Sequence, residues 1–304
     1  MSNKAESKRL LLIINPRSGK REAEKNLQAI VDKFSEAGYE TEVMMTKARG
    51  DARKFAIAYG ERSDVVVASG GDGTFNEVID GLITSGADVD IGYIPSGSTN
   101  DFANSLGLPK GIFNCVDRII DGRAVPIDVG CFNGRYFSYV ASFGIFTATT
   151  YTVPQNLKNI LGHAAYVLGG IKEIANLKPI HAKITMDKGT TDERVCEGDY
   201  VLGGICNSKS VGGILNLRSL DVDLNDGVME VLLVKMPKNI IELNAITISM
   251  LSGSFKADQI ETYSAKESIV EIDPDVPWTL DGEYGGSAEV CEIKTIPSAI
   301  RVIR

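Results

Sequence analysis

Hydrophobic and polar positions follow two different rhythms along the chain. In the first part, short apolar runs alternate with stretches of helical spacing. Leu10–Ile14 is wholly apolar, as a strand buried on both faces would be. Residues 20–37 then place Ala23, Leu27, Ile30, Val31 and Phe34 on a helical period that ends at Gly38. Glu42–Met45 reads as a strand, Asp51–Tyr59 as a helix and Asp64–Ala68 as another buried strand. Phe75–Ile83 reads as a helix, Ile91–Ile94 as a strand and Asp101–Leu106 as the start of a helix. This alternation predicts a parallel sheet covered by helices. Ligands of such sheets sit beyond the carboxyl ends of the strands.

From about Val125 the texture changes. Arg135–Val140, His181–Met186, Glu197–Ile205, Val228–Val234, Ser268–Ile272 and Ala288–Ile293 are strand-like. Turn-rich stretches such as Asp187–Thr191 and Asn225–Gly227 join them. The exception is Leu157–Leu177, a helical insertion with Tyr166, Leu168, Ile171 and Ile174 on one period. The expected fold class is therefore α/β plus β: an α/β domain followed by a mostly antiparallel β-sandwich.

A length of 304 residues agrees with about two domains. Hydrophobic residues make up 43% and charged residues 24%, which excludes a disordered or collagen-like chain. The net charge of −8 argues against nucleic acid as a partner, since that role wants a basic stripe. The acidity is even: 16 Lys/Arg against 19 Asp/Glu in residues 1–128, and 16 against 21 in the remainder, so neither part is a basic tail. Five scattered cysteines without a CxxC pair, and only two histidines, argue against a zinc site or disulfide framework. Buried free thiols in a reducing cytosol are the reading that remains. His163 and His181 read as structural or surface residues. No apolar run approaches the roughly 18 residues of a membrane span, so the expectation is cytoplasmic, at most peripheral at the inner membrane face.

Three Gly-rich turns each follow a buried strand of the first domain. They are Asn15-Pro16-Arg17-Ser18-Gly19-Lys20, Ser69-Gly70-Gly71-Asp72-Gly73-Thr74-Phe75-Asn76-Glu77 and Pro95-Ser96-Gly97-Ser98-Thr99-Asn100-Asp101-Phe102. Glycine permits positive φ and close approach of backbone to a ligand. A helix amino terminus adds free N–H groups and partial positive charge, which suit phosphate. Any one such turn could merely reverse the chain; three at one sheet edge would converge on a polyphosphate. The standard nucleotide patterns are missing. Gly19-Lys20 is followed by Arg21 and has no glycine five positions earlier, and no GxGxxG follows the first strand.

SGGDGTFNEV resembles the nucleotide-binding signature of the diacylglycerol kinase catalytic superfamily, which also holds sphingosine and ceramide kinases. NAD kinases share its GGDG core more distantly. NPRSGK on the first strand, IPSGSTNDFANSLGLP about 25 residues after GGDGT, and Leu280-Asp281-Gly282-Glu283 near the end support the lipid-kinase branch. The resemblance covers nearly the whole chain. It implies a nucleotide domain like that of NAD kinase over residues 1–126, with 295–304 returning to it. It further implies a β-sandwich over 127–294 and an active site in the cleft between the two.

The same resemblance implies roles for residues. Asn15, Pro16, Arg17, Ser18 and Gly19 would meet the phosphates of ATP, with Thr46 at the end of the second strand. Gly70, Gly71, Asp72, Gly73, Thr74, Phe75 and Asn76 would line the nucleotide, Asp72 facing Mg²⁺ or phosphate. Asp is also a favoured helix cap, and both Asp72 and Asp101 keep that alternative. Ser98 stands where the family has Thr, retaining the hydroxyl. Glu283 matches the general base, with Asp281 as second carboxylate; the plain alternative there is an Asp-Gly turn. Asp226, with the carbonyls of Asp223 and Val228, matches a structural Mg²⁺ site, although Asn225-Asp226-Gly227 is also a plain turn signal. Gly203-Gly204 and Gly212-Gly213 receive no role.

The implied activity is ATP-dependent phosphorylation of diacylglycerol to phosphatidic acid. The alternatives are another lipid alcohol (a sphingoid base, ceramide or polyprenol), a non-catalytic nucleotide- or lipid-binding regulator and, more weakly, NAD kinase chemistry. The insertion Leu157–Leu177 is either core or a face meeting lipid, with Lys158 and Lys172 near headgroups. A transient contact with a membrane surface and a homodimer complete the expectations.

Overall fold

The structure, a computed structural model, describes residues 7–19, 21–97, 100–145, 177–211 and 215–304. All of the predicted insertion except Leu177 lies outside the described residues, as do Ser98, Thr99, His163 and Gly212-Gly213. The chain forms two compact units, Met1–Val129 with Pro297–Arg304, and Gly130–Ile296.

In the first unit the elements are β1 (Lys8–Ile14), α1 (Glu22–Lys25), α2 (Leu27–Glu36), β2 (Tyr39–Met45), α3 (Asp51–Tyr59), β3 (Val65–Gly70) and α4 (Asp72–Ser85). β4 (Asp90–Pro95), α5 (Asp101–Ser105), α6 (Ile112–Asp121) and the start of β5 (Ala124–Phe132) follow. The sheet is parallel, in the order β2-β1-β3-β4. At its far edge Arg301 and Val302, from the end of the chain, lie parallel to Asp90 and Ile91. Leu10–Ile14 and all of β3 are buried, as strands covered on both faces must be. Leu10, Leu12, Ile14, Val65 and Val67 join Ile30 and Phe34 of α2 and Val116 and Ile119 of α6 in one core. α3 packs on β1 and α4 on β3.

One predicted helix is divided. The period over residues 20–37 splits at Asn26 (φ −103°), whose side-chain Nδ2 donates to Glu22 O at 2.7 Å. An Asn that bonds the local backbone competes with the helix ladder.

The second unit is antiparallel. It runs through β6 (Arg135–Phe137), β7 (Val140–Gly144), β8 (Ile180–Met186), β9 (Arg194–Cys206), β10 (Ser210–Val211), β11 (Leu215–Asn216), a 3-10 turn (Arg218–Leu220) and β12 (Met229–Lys235). α7 (Ile240–Ser252), β13 (Ile260–Ala265), β14 (Glu267–Ile272), β15 (Trp278–Leu280), β16 (Glu283–Gly286) and β17 (Val290–Ile303) complete it. β9 is long enough to pair with β8 along its first half and with both β7 and β12 along its second. Trp278 packs against Phe132 and Phe143, at centroid distances of 4.9 and 5.0 Å. Around it lie Ile184, Val231, Leu233, Val270 and Ile293.

The segment predicted as one strand, Arg135–Val140, breaks after Phe137. The amides of Ser138, Tyr139 and Val140 are given to the carboxylate of Asp281 instead of a neighbouring strand. α7 was not anticipated, because its apolar residues fall on more than one face: Ile246 and Met250 are buried while Ile241, Ile248 and Leu251 are exposed. Its start is fixed by Asn239, whose Oδ1 accepts from the amides of Ile241 and Glu242. Among the described residues no helix is long and apolar enough to cross a membrane.

Candidate active site

The three Gly-rich turns of the first unit meet at the carboxyl ends of β1, β3 and β4. The amide of Asn15 donates to Ser69 O at 2.8 Å, and its side-chain Nδ2 donates to Thr74 Oγ1 at 3.2 Å. These bonds tie the first turn to the second. The amide of Ser96 donates to Gly70 O at 2.7 Å, which ties the second to the third. Close approach is possible because glycine faces backbone. A Cβ on Gly97 would lie 2.7 Å from Gly71 Cα. One on Gly19, whose φ is +51°, would lie 2.1 Å from Ser96 O. Ser18 closes on Asn15 through its own amide, at 3.2 Å, while Arg17 is exposed and Pro16 half-buried. Thr46 joins the rim, its amide donating to Ile14 O at 2.9 Å.

Residues that had no assigned role hold this arrangement. Glu77, the last residue of the second motif, accepts from the amides of Gly50 and Ala52, and so anchors the loop after Thr46. Asn100 (φ +52°) accepts from Gly97 N and donates to Gly97 O, both at 2.9 Å, clasping the third turn. Ser96 Oγ is buried and has no hydrogen-bond partner. All three were visible as letters within the motifs; what they bond depends on partners the spacing does not name.

Two placements differ from expectation. Phe75 turns its ring into the core, fully buried and stacked on Tyr93 at 4.3 Å, so its side chain does not line a nucleotide. The apolar core outcompetes the cradle for an aromatic ring. The carboxylate of Asp72 accepts from the amides of Asp101 (3.0 Å) and Phe102 (3.3 Å) and from Tyr93 Oη (3.4 Å). It therefore caps α5 rather than its own helix, which fixes the third turn from the second. Burial pushes its carboxyl up to about 6, against the pull of those amides. A raised folded-state value means the folded chain holds this proton more tightly than the unfolded one. The resulting stability is present below 3.8 and is lost as pH rises through about 6. Asp72→Asn is accordingly expected to flatten the decline of urea stability across that window. An unchanged pH profile in the variant would contradict this.

In the second unit, β15 and β16 form a hairpin in which Leu280 opposes Glu283. Its two turn residues, Asp281 (φ +51°) and Gly282 (φ +82°), are both left-handed, as a type I′ turn requires. Asp281 is buried, and its carboxylate accepts from the amides of Ser138 (2.6 Å), Tyr139 (2.9 Å) and Val140 (3.0 Å). Glu283, the residue straight after the turn, is half-buried. The candidate cation turn lies before β12. Asp223 Oδ1 accepts from Asn225 N at 3.2 Å and Asp226 Oδ1 from Val228 N at 3.1 Å. Among the described residues no three acidic, His or Cys side chains cluster to hold a metal, so an ion there would need main-chain oxygens as well.

Residues 9–132 match the model of the diacylglycerol kinase catalytic domain, and residues 140–304 match the YegS C-terminal NAD kinase beta sandwich-like domain. A diacylglycerol kinase of Bacillus subtilis (strain 168) is 38% identical over 92% of this chain and 91% of its own. The chain belongs to the diacylglycerol kinase catalytic family. A diacylglycerol kinase of Staphylococcus saprophyticus is 34% identical over 92% of this chain and 90% of its own. A solved structure from Bacillus anthracis str. Sterne aligns with 100% of this chain and 98% of its own at a TM-score of 0.81 and 27% identity. Membership makes the protein a kinase that transfers phosphate from ATP to a lipid alcohol, on an NAD-kinase-like α/β domain followed by a β-sandwich-like one.

Proposed function

We propose that this kinase phosphorylates diacylglycerol to phosphatidic acid with ATP and Mg²⁺. The observation that carries the reading is the main-chain contact of the three turns, Gly19 on Ser96 and Gly71 on Gly97, at one sheet edge. Glycine backbone beside the amino end of α4 suits the oxygens of a polyphosphate. The relatives named diacylglycerol kinase supply the acceptor.

In this reading Asn15, Ser18, Gly19, Thr46 and Gly70–Thr74, together with Ser98, receive the nucleotide. Phosphoryl transfer needs positioning, charge neutralisation and a group that takes the hydroxyl proton. The acceptor oxygen bonds to the γ-phosphorus, the bond from that phosphorus to the bridging oxygen breaks, and ADP leaves. Glu283 takes the acceptor's proton. Asp281 and Asp72 serve as positioning residues, because their carboxylates are engaged by backbone amides. Asp226 and the carbonyls of Asp223 and Val228 hold a divalent cation in the second unit; hard oxygens suit Mg²⁺, which when bound neutralises charge there. Because the acceptor resides in a bilayer, transient contact with a membrane surface belongs to the same proposal.

The test is incubation with γ-labelled ATP, Mg²⁺ and mixed micelles of several lipid alcohols, followed by lipid separation. Labelled phosphatidic acid as the main product is expected. Preferential label on a sphingoid base, ceramide or polyprenol would move the acceptor, and nucleotide binding without any labelled lipid would indicate a regulator. Gly19→Ala tests the cradle itself. Its new methyl meets Ser96 O in a strained backbone region, so ATP affinity is expected to fall about tenfold or more, a cost of at least about 1.4 kcal/mol. Calorimetric titration of the folded variant reads this directly; unchanged affinity would remove the turn from the nucleotide site.

A further inference from the structure

We propose that Glu77 is a positioning residue for ATP: its carboxylate holds the loop that follows Thr46 against the helix of the second Gly-rich turn. This rests on the reading of Thr46 as a nucleotide contact. The loop joins β2 to α3 and is pinned at three points. At its start the amide of Thr46 donates to Ile14 O at 2.9 Å, at the carboxyl end of β1. In its middle the amides of Lys47 and Ala48 donate to Asp51 Oδ2, at 2.9 and 2.8 Å. At its end the amide of Gly50 donates to Glu77 Oε1 at 2.8 Å and that of Ala52 to Glu77 Oε2 at 3.2 Å. Of the three, the last alone reaches α4, whose first residues Asp72, Gly73 and Thr74 belong to the second turn.

The need for Glu77 starts with the sequence of α3. A helix amino terminus leaves amides without partners. Gly50 stands at the cap position of α3 in a left-handed conformation (φ +84°), and it has no side chain to accept them. Asp51 turns back to the loop instead. A carboxylate from the neighbouring helix takes the place of the cap, with the sign of charge that a helix amino end favours. Docking of α3 on α4 does not depend on it. Gly81 lies so close to α3 that a Cβ there would sit 2.6 Å from Arg53 O. Arg53 also pairs with Asp80 and donates to Thr84 Oγ1, both further along α4. What Glu77 adds is the position of the loop relative to the second turn. Without it the loop stays closed on Asp51, but Thr46 and Gly70–Thr74 are no longer held in register at the sheet edge. About 1 Å of misplacement can cost up to about 10²-fold.

The experiment uses the full chain, with ATP binding read by calorimetry well below the thermal midpoint of each variant. Glu77→Ala is expected to raise the ATP Kd about tenfold. Glu77→Gln, which keeps one acceptor oxygen, should raise it by less. In the lipid assay the KM for ATP should rise with the Kd, while kcat at saturating ATP and the KM for the lipid move much less. A glutamate that served only the fold would not split the constants in that way. ATP binding that falls only in step with the folded fraction would overturn the proposal, and so would unchanged ATP affinity in both variants. Thr46→Val, measured alongside, tests the reading beneath the proposal, and weaker ATP binding in it is the expected result. Should Glu77→Ala and Thr46→Val both bind ATP like the wild type while Gly19→Ala does not, the loop lies outside the nucleotide site. The inference then fails and the kinase reading stands.

Discussion

Glu283→Gln is expected to lower kcat by about 10²–10⁴-fold while leaving ATP affinity unchanged. Gln keeps the size and hydrogen-bonding reach of Glu but cannot accept a proton. The substitution therefore separates loss of the base from loss of structure. Glu283 follows a turn whose two residues both have positive φ, and that turn is tied to the backbone of residues 138–140 through Asp281. Such a mounting fixes where the residue emerges from the hairpin, which a proton acceptor needs more than a surface glutamate does. Initial rates of labelled lipid formation at saturating ATP measure kcat, and calorimetry measures nucleotide binding. Glu283→Asp should recover part of the rate, since a carboxylate is restored at a shorter reach. A Gln variant that turns over within about threefold of wild type would show that another group takes the proton, since a general base contributes far more than that.

Much of the first unit was legible because its strands are buried on both faces and its helices carry one apolar stripe. Val65–Ala68 and Leu10–Ile14 have no other plausible home than the centre of a parallel sheet. The second unit was less legible. Arg135–Val140 reads as one strand by composition, but a carboxylate more than 140 residues away in sequence claims its last amides. No local rule contains that partner. α7 escaped notice because its apolar residues do not keep to one stripe. In the candidate site the motifs marked the turns that meet at the sheet edge, since glycine at close backbone approaches leaves a plain trace in the letters. They did not reveal which carboxylates point outward. Asp72 and Asp281 are both named by the motifs, and both spend their oxygens on backbone amides. Phe75, read as lining for a nucleotide, is core, because an aromatic ring beside Tyr93 and Phe102 gains more from stacking than from a polar cradle.

Asp281→Ala is expected to cost about 3–5 kcal/mol of folding stability, because it leaves three amide donors without their charged acceptor. The donors are the amides of Ser138, Tyr139 and Val140, and all three residues are buried, so water cannot readily replace the carboxylate. The residue is also half of a turn in which both positions have positive φ, a conformation that Ala tolerates less well than Asp. Asp281→Asn separates these two effects. It keeps the turn and one acceptor oxygen, but it sets an NH₂ group against a backbone donor, so it should lose about half as much. Urea denaturation with an unchanged m-value measures both variants as stability changes. Activity should fall by more than the unfolded fraction, because the turn before Glu283 loses its tie to residues 138–140, and should return only in part when lower temperature or bound nucleotide restores the folded population. A fully stable Asp281→Ala chain would contradict the structural assignment. It would mean that the amides at 138–140 find another acceptor once the carboxylate is gone.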